Sequence, residues 1–136
     1  MGTISNFRNL DVWQKAHQLT LEVYRITKNY PQDEKFGLTS QMRRAAVSVP
    51  ANIVEGFRKF GIKDKVNFYN IAHASLDELR YYFLLSKDLA YINEENLKSL
   101  DDSGEEISMM LNGLISSTKR RKIFPAFLYA LFPALL

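Results

Sequence analysis

The stretch TSQMRRAAVSVPANIVEGF at residues 39–57 decides how this chain folds. Its apolar side chains recur every three or four residues, which is the period of an α-helix with one buried face. They are Met42, Ala45, Ala46, Val49, Ile53, Gly56 and Phe57. Pro50 lies inside the pattern and removes a backbone donor, yet the period continues through it. The stretch therefore predicts one helix, kinked at Pro50, rather than two elements.

Three further segments on either side of this helix have the same period. They predict a first helix from Asp11 to Tyr30, a third from about Asp64 to Leu89 or Tyr91, and a fourth after Asn93, a residue type that favours the N-cap. No segment shows sustained strand alternation, and the joining loops are short. We therefore expect an all-α protein, an up-down antiparallel four-helix bundle over residues 1–122.

Composition and length limit the classes of protein that remain. The chain has 136 residues, which corresponds to one domain, and it has no cysteine, which excludes disulfides and thiolate catalysis. Its start has no apolar run of the signal-peptide kind, so we expect a cytoplasmic protein. Residues 123–136 form an apolar tail without a charged side chain, and they are fewer than the roughly 20 that a membrane-spanning helix needs.

No residue pattern indicates an active site. His17 and His73, the only histidines, lie on different predicted helices, and neither a Glu-x-x-His pair nor a Gly-x-Ser-x-Gly elbow occurs. The carboxylates Asp101, Asp102, Glu105 and Glu106 are interpreted as a solvated helix face. We expect no catalytic residue, no metal and no cofactor, and we keep an enzyme only as a minor alternative.

Charge is unevenly distributed, although the net charge is only +3. Residues 43–65 carry six basic and two acidic side chains, whereas residues 93–118 carry one basic and six acidic. Arg43 and Arg44 have no carboxylate three or four residues away, so their counter-charge must come from Asp77 or Glu78, another chain, or a bound anion. The candidate nucleic-acid-binding residues are Arg43, Arg44, Arg58, Lys59, Lys63, Lys65, Lys119, Arg120, Arg121 and Lys122. For Arg43 and Arg44 the alternative is an interhelical ion pair, and for the other residues of this set it is a solvated helix end.

The third predicted helix has an apolar face wider than one neighbour usually covers. From Leu79 to Leu85 only Arg80 interrupts it. The residues predicted at an interface between subunits are Tyr81, Tyr82, Phe83, Leu84 and Leu85.

Three motifs resemble one known family. They are Phe7-x-x-Leu10-x-Val12-Trp13-x-x-Ala16, the run QMRRAAVSVPANIVEG from Gln41 to Gly56, and Phe68 to Leu79. Over roughly residues 7–118 the chain resembles the four-helix-bundle proteins encoded in intervening sequences of bacterial 23S ribosomal RNA genes. The resemblance implies a bacterial cytoplasmic bundle that commonly forms a ring-like pentamer and has no enzymatic activity. It also implies kinship with the accessory variability determinant of diversity-generating retroelements, a strongly basic protein that works with a reverse transcriptase and nucleic acid. The small net charge and the apolar tail depart from this pattern.

The resulting hypothesis is a non-enzymatic, homo-oligomeric accessory or scaffold protein that associates with RNA or DNA. The alternative is a protein-interaction scaffold without nucleic-acid binding, which would take a protein client. Membrane-surface contact through the tail beside Lys119–Lys122 is a third hypothesis. For the tail itself, packing on its own bundle or plugging an assembly is favoured over membrane contact.

Overall fold

The computed structural model of the chain describes residues 4–121. Its four helices are α1 (Asp11–Thr27), α2 (Leu38–Arg58), α3 (Ile62–Asp88) and α4 (Glu94–Arg120). Helix α2 packs against α1 and α3, and α4 packs against α3 and α1. This arrangement confirms the predicted all-α four-helix bundle. The predicted tail, residues 123–136, lies outside the described residues, so the predicted domain division stays a prediction.

The core is one continuous cluster to which all four helices contribute. Met42, Ile53, Leu76, Phe83 and Leu111 are fully buried in it. Burial of these apolar stripes is the main force that holds the four helices together. Within residues 4–121, no helix is long and apolar enough to cross a membrane.

One end of the bundle is closed by aromatic residues from two loops. Helix α1 ends at Thr27, before the predicted Tyr30, and Tyr30 packs its ring 5.1 Å from that of Tyr91. The Tyr91 hydroxyl donates to Glu34 at 3.0 Å. These contacts hold the α1–α2 connection against the α3–α4 connection, so the starts of α2 and α4 lie at the same end. Asn93 is the N-cap of α4, as predicted, and forms a capping box with Asn96.

Pro50 lies inside α2, and the helix is continuous through it. Because proline has no backbone N–H, the carbonyl of Ala46 loses its usual partner four residues later. The hydroxyl of Thr20 on α1 donates to that carbonyl at 3.0 Å, and also to the Ala16 carbonyl at 2.9 Å. A side chain of one helix therefore replaces the donor that the other helix lacks. The kink predicted at Pro50 stays a prediction.

Candidate nucleic-acid interface

The fold divides the predicted basic residues between two surfaces. One is the basic end, defined by Arg58, Lys59, Lys63, Lys65, Lys119, Arg120 and Arg121, where α2 ends, α3 begins and α4 ends. The other is the α2 groove, which contains Arg43 and Arg44. Arg44 and Arg58 lie fourteen positions apart in α2, which corresponds to about 21 Å along the helix. The candidates therefore do not form one site, and Lys122 lies outside the described range.

Two close contacts build the basic end from its underlying backbone. A Cβ placed on Gly56 would lie 2.5 Å from the ring of Tyr69, so only glycine lets α3 approach α2 this closely. The Nζ atom of Lys65 donates to the carbonyls of Gly56 (3.3 Å) and Phe57 (2.8 Å). It thereby satisfies carbonyls that the end of a helix leaves without partners. Lys65 is committed to the fold rather than free to meet a ligand.

The end of α4 lies close enough to the start of α3 for charges on the two helices to interact. Burial lowers the pKa of Lys65 below its usual value, and the positive charge of Arg121 lowers it further. The same Arg121 charge opposes the rise that burial causes in the pKa of Tyr69. Cations from α3 and α4 therefore share one region of the surface.

Most cations of the basic end have no counter-charge in the described part of the chain. Five of them make no ion pair within 4.0 Å there: Arg58, Lys59, Lys63, Lys119 and Arg120. Such like charges repel one another, and the repulsion falls when an anion binds. This end therefore favours a polyanionic partner.

An exposed aromatic residue lies among these cations. Phe60, between α2 and α3, is 91% exposed, and the guanidinium of Arg58 lies 5.2 Å from its ring centroid. An adjacent cavity of about 450 Å³ is lined by Ser5, Phe57, Arg58, Lys59, Phe60 and Lys65. The basic end thus combines charge, an aromatic face and a concave surface.

The α2 groove has a volume of about 680 Å³ and is also cationic. It is lined by Tyr24, Lys35, Phe36, Thr39, Ser40, Arg43, Arg44, Val47, Ser48, Ala51 and Asn52. The Nε atom of Arg43 donates to the Thr27 hydroxyl at 2.9 Å, and its guanidinium lies 4.7 Å from the Tyr24 ring centroid. Arg43 is therefore held in one orientation by uncharged partners.

The counter-charges considered for these arginines are engaged elsewhere. Glu78 lines a cavity of about 350 Å³ together with Arg44, yet the two make no ion pair within 4.0 Å. Glu78 instead accepts a hydrogen bond from Tyr82, and Asp77 lies 3.7 Å from His73. The pairing of Arg43 or Arg44 with Asp77 or Glu78 does not occur in this chain.

Acidic residues of α4 are more engaged than a simple solvated face. Arg80 bridges Asp101 at 2.9 Å and Glu105 at 3.0 Å, and the hydrogen bond with Asp101 is the main cause of its raised pKa. Lys98 pairs with Asp102 at 2.9 Å, and Glu106 lies 3.5 Å from Lys15 of α1. Sequence reasoning missed the role of Arg80. Its signal was a lone cation within the apolar run of α3.

One cluster has the residue types of a hydrolase triad. Ser108 lies 3.1 Å from the Nε2 atom of His73, whose Nδ1 atom is 3.7 Å from Asp77. The second distance is too long for a hydrogen bond, and all three residues lie inside helices, where backbone N–H groups bond within the helix. Such backbone cannot supply oxyanion donors. The cluster therefore links α3 to α4.

Residues 4–121 contain no group of three or more side chains that could hold a metal.

The candidate interface residues of α3 are divided between core and surface. Phe83 is fully buried in the protomer core, and Tyr82 and Leu85 pack against that core while partly exposed. Tyr81 and Leu84 are 57% and 47% exposed. Of the five candidates, only these two have about half of their surface exposed and so available to a partner.

Comparisons with known proteins show a family and a similar solved structure. The family model described as 23S rRNA-intervening sequence protein matches residues 8–113. A crystal structure of a Bacteroides thetaiotaomicron protein, described as of unknown function and from the S23 ribosomal protein family, is similar with a TM-score of 0.69. The two sequences are 26% identical, and the similarity covers 76% of this chain and 97% of that one. No curated protein matches the chain.

Proposed function

The chain belongs to the 23S rRNA-intervening sequence protein family, and from this premise we propose that it is a non-enzymatic, homo-oligomeric accessory or scaffold protein that binds nucleic acid. The observation that carries the proposal is the basic end. Three helix termini bring together five cations that make no ion pair with a described carboxylate. We place the protein in the cytoplasm, where RNA and DNA are accessible.

The small net charge of the chain does not argue against phosphate binding at the basic end. Each lysine or arginine that neutralises a phosphate releases condensed counterions, so local clustering matters more than a net charge of +3. A homo-oligomer presents several basic ends on one particle, and linked sites bind more strongly than separate ones. The exposed Tyr81 and Leu84 support self-association, and the family resemblance favours a ring-like pentamer.

Gel-shift titration with a labelled RNA and a labelled DNA at increasing salt tests this function. We expect retention at low ionic strength that weakens steeply with salt. The double variant Arg58→Gln/Lys59→Gln should weaken binding and lower the salt slope by about 1.8 for a duplex or about 1.4 for a single strand, since each lost phosphate contact contributes about 0.9 or about 0.7, respectively.

The matched control is Lys15→Gln/Lys98→Gln. It removes the same charge, but from cations that face Glu106 and Asp102. It should leave the affinity nearly unchanged. Absence of retention at low salt, or an equal loss in both double variants, would contradict binding through the basic end.

The second candidate function is a protein-interaction scaffold without nucleic-acid binding, and the α2 groove favours it. Phe36, Val47 and Tyr24 on this groove are 88%, 42% and 41% exposed. A second copy of this chain is the occupant we favour, because the groove adds to the exposed apolar surface of α3. Light scattering at micromolar concentration tests self-association through this groove. Val47→Glu should lower the particle mass. A wild-type species of 15.7 kDa would refute self-association.

Membrane contact through the tail, residues 123–136, is a lesser candidate that concerns the undescribed part of the chain. Liposome flotation of the full chain against one ending at Lys122 tests it. Equal flotation would remove the idea.

A further inference from the structure

We infer that the nucleic acid held at the basic end is single-stranded, with an unpaired base stacked on Phe60. The inference rests on the proposed function, since it presumes a nucleic-acid ligand. It adds what the charges alone do not specify, which is the conformation of the bound strand.

The exposure of Phe60 is the first observation. A phenylalanine that is 91% exposed leaves its apolar ring in water, which is unfavourable without a partner. The ring lies between α2 and α3, in a connection of only three residues from Lys59 to Gly61. The short connection holds the ring close to two helix ends, so it is positioned while one face stays accessible.

The surroundings of the ring are the second observation. The Arg58 guanidinium lies 5.2 Å from the Phe60 centroid, and the Lys59 Nζ atom lies 5.1 Å from the ring of Phe68. Alternation of aromatic rings and cations is typical of surfaces that bind single strands, where bases stack and phosphates meet positive charge. Arg58, Lys59 and Lys63 lie within three residues of Phe60 on both sides, so phosphates flanking a stacked base would meet a cation in either direction.

The cavity beside Phe60 is the third observation. Its volume of about 450 Å³ lies within the range of small-molecule sites, and its walls combine Phe57 and Phe60 with Arg58, Lys59 and Ser5. A base within a duplex cannot enter such a cavity or stack on a side chain, because its faces are covered by the neighbouring base pairs. An unpaired base can do both.

Lys65 acts here as a positioning residue. Its Nζ atom binds the Gly56 and Phe57 carbonyls and so fixes the backbone that leads into Phe60. Within this site we therefore assign stacking to Phe60, phosphate contact to Arg58, Lys59 and Lys63, and wall geometry to Lys65.

Fluorescence anisotropy with a labelled 20-nucleotide single strand and a blunt duplex of the same length tests the inference at one fixed salt concentration. The wild-type protein should bind the single strand at least about tenfold more tightly than the duplex. Phe60→Ala should weaken single-strand binding by about 5- to 150-fold, the range for loss of one stacked base, and leave duplex binding unchanged. Phe60→Trp should retain it.

Met109→Ala is the matched control. Met109 of α4 is an apolar side chain that is 66% exposed, and it belongs to neither the basic end nor the α2 groove. This variant should bind both probes like the wild type. Circular dichroism should show all variants folded, because Phe60 and Met109 both lie outside the core.

The outcomes separate the two proposals. If neither probe binds at low salt, the proposed function fails and this inference fails with it. If both probes bind equally, or if Phe60→Ala leaves single-strand binding unchanged, this inference alone is overturned.

Discussion

Helices α2 and α4 lie at opposite corners of the bundle, and they obtain their missing partners in different ways. In α2, the carbonyl left without a donor by Pro50 is satisfied by Thr20 of α1, and carbonyls at its C-terminus are satisfied by Lys65 of α3. In α4, the N-terminus is capped by Asn93 together with Asn96, within the same segment. Helix α2 therefore depends on its neighbours for hydrogen bonds that α4 makes locally.

For charged side chains the pattern is reversed: those of α4 find partners within the chain, and the arginines of α2 do not. Each of four carboxylates of α4 pairs with a cation of this chain: Asp101, Asp102, Glu105 and Glu106. By contrast, Arg43, Arg44 and Arg58 of α2 make no ion pair with a carboxylate of residues 4–121. These four carboxylates of α4 are therefore neutralised within the chain, whereas the three arginines of α2 keep their full charge. The proposed binding of a polyanion requires such uncompensated charge.

Gly56→Ala should have the largest effect on stability, and it tests whether α2 must pack this closely on α3. The added methyl group would lie 2.5 Å from the ring of Tyr69, which is 2% exposed and cannot move freely. We expect the free energy of unfolding to fall by about 3 kcal/mol, the upper part of the usual range for overpacking. Urea denaturation measures it, and a loss below about 0.5 kcal/mol would show that the close approach is not required.

Thr20→Val tests the hydrogen bond that α1 supplies to α2. Valine has nearly the same shape but no donor, so the buried Ala46 carbonyl would have no partner. We expect a loss of about 1–2 kcal/mol, the usual cost of an unsatisfied buried group. The control is Thr20→Ser, which keeps the hydroxyl. If valine were tolerated better than serine, the replacement of the Pro50 donor by Thr20 would be wrong.

Arg80→Met and Arg44→Met together compare an arginine that is paired with carboxylates with one that is not. Its side chain is 24% exposed and those of Asp101 and Glu105 are 48% and 59% exposed, so solvent weakens the two ion pairs. We expect a loss of about 1 kcal/mol. Arg44→Met should change stability by less than about 0.5 kcal/mol. Thermal unfolding measures both changes. Equal losses of stability in the two variants would contradict the difference in charge pairing between the two surfaces.

Gly113→Ala should stabilise α4, in contrast to the same change in α2. Among residues 4–121, apart from its chain neighbours and the nearby backbone of α4 itself, no atom lies within 4 Å of the position that its Cβ would occupy. Alanine restricts the unfolded chain, and we expect a gain of about 0.8 kcal/mol. Differential scanning calorimetry should show a higher melting temperature; a lower one would mean that this face of α4 is already occupied by a partner.

Arg121→Gln should give the smallest effect, a change in the titration of a single lysine. Removing the positive charge should raise the pKa of Lys65 partway towards its ordinary value, while burial still lowers it. Because the folded-state pKa lies below the unfolded one, the unfolded chain holds more protons between the two values. Stability therefore rises with pH across that window, and the variant should show a smaller rise. NMR titration of the Lys65 side chain, with Arg25→Gln as a remote control, measures the shift.

Local signals in the sequence were sufficient for the helices, and the long-range contacts were not predictable from them. The period of α2 and the N-cap at Asn93 depend on residues a few positions apart, and both were predicted correctly. The contact of Thr20 with Ala46 and that of Arg80 with Asp101 join residues 26 and 21 positions apart. Sequence spacing alone does not tell which helix faces meet, so these pairs required the folded chain.

The candidate site was predictable in composition but not in shape. The basic residues near Arg58 and those at Lys119–Arg121 were predicted as one candidate set although they are far apart in the sequence, and the antiparallel order of the helices brings them to one end. The same order carries Arg43 and Arg44 away from that end. The commitment of Lys65 to the α2 carbonyls had no signal in the sequence, since a lysine at a helix start is ordinarily solvated.

The location of the basic end at one tip of the bundle gives the molecule a direction. Helices α3 and α4 each have 27 residues, so the bundle extends about 40 Å from that tip. A protomer attached to a strand by Phe60 and its neighbouring cations would stand away from it, and the Tyr30–Tyr91 contact would mark the distal pole. Whatever docks at that pole would be kept at a fixed height above the strand, as on a molecular spacer.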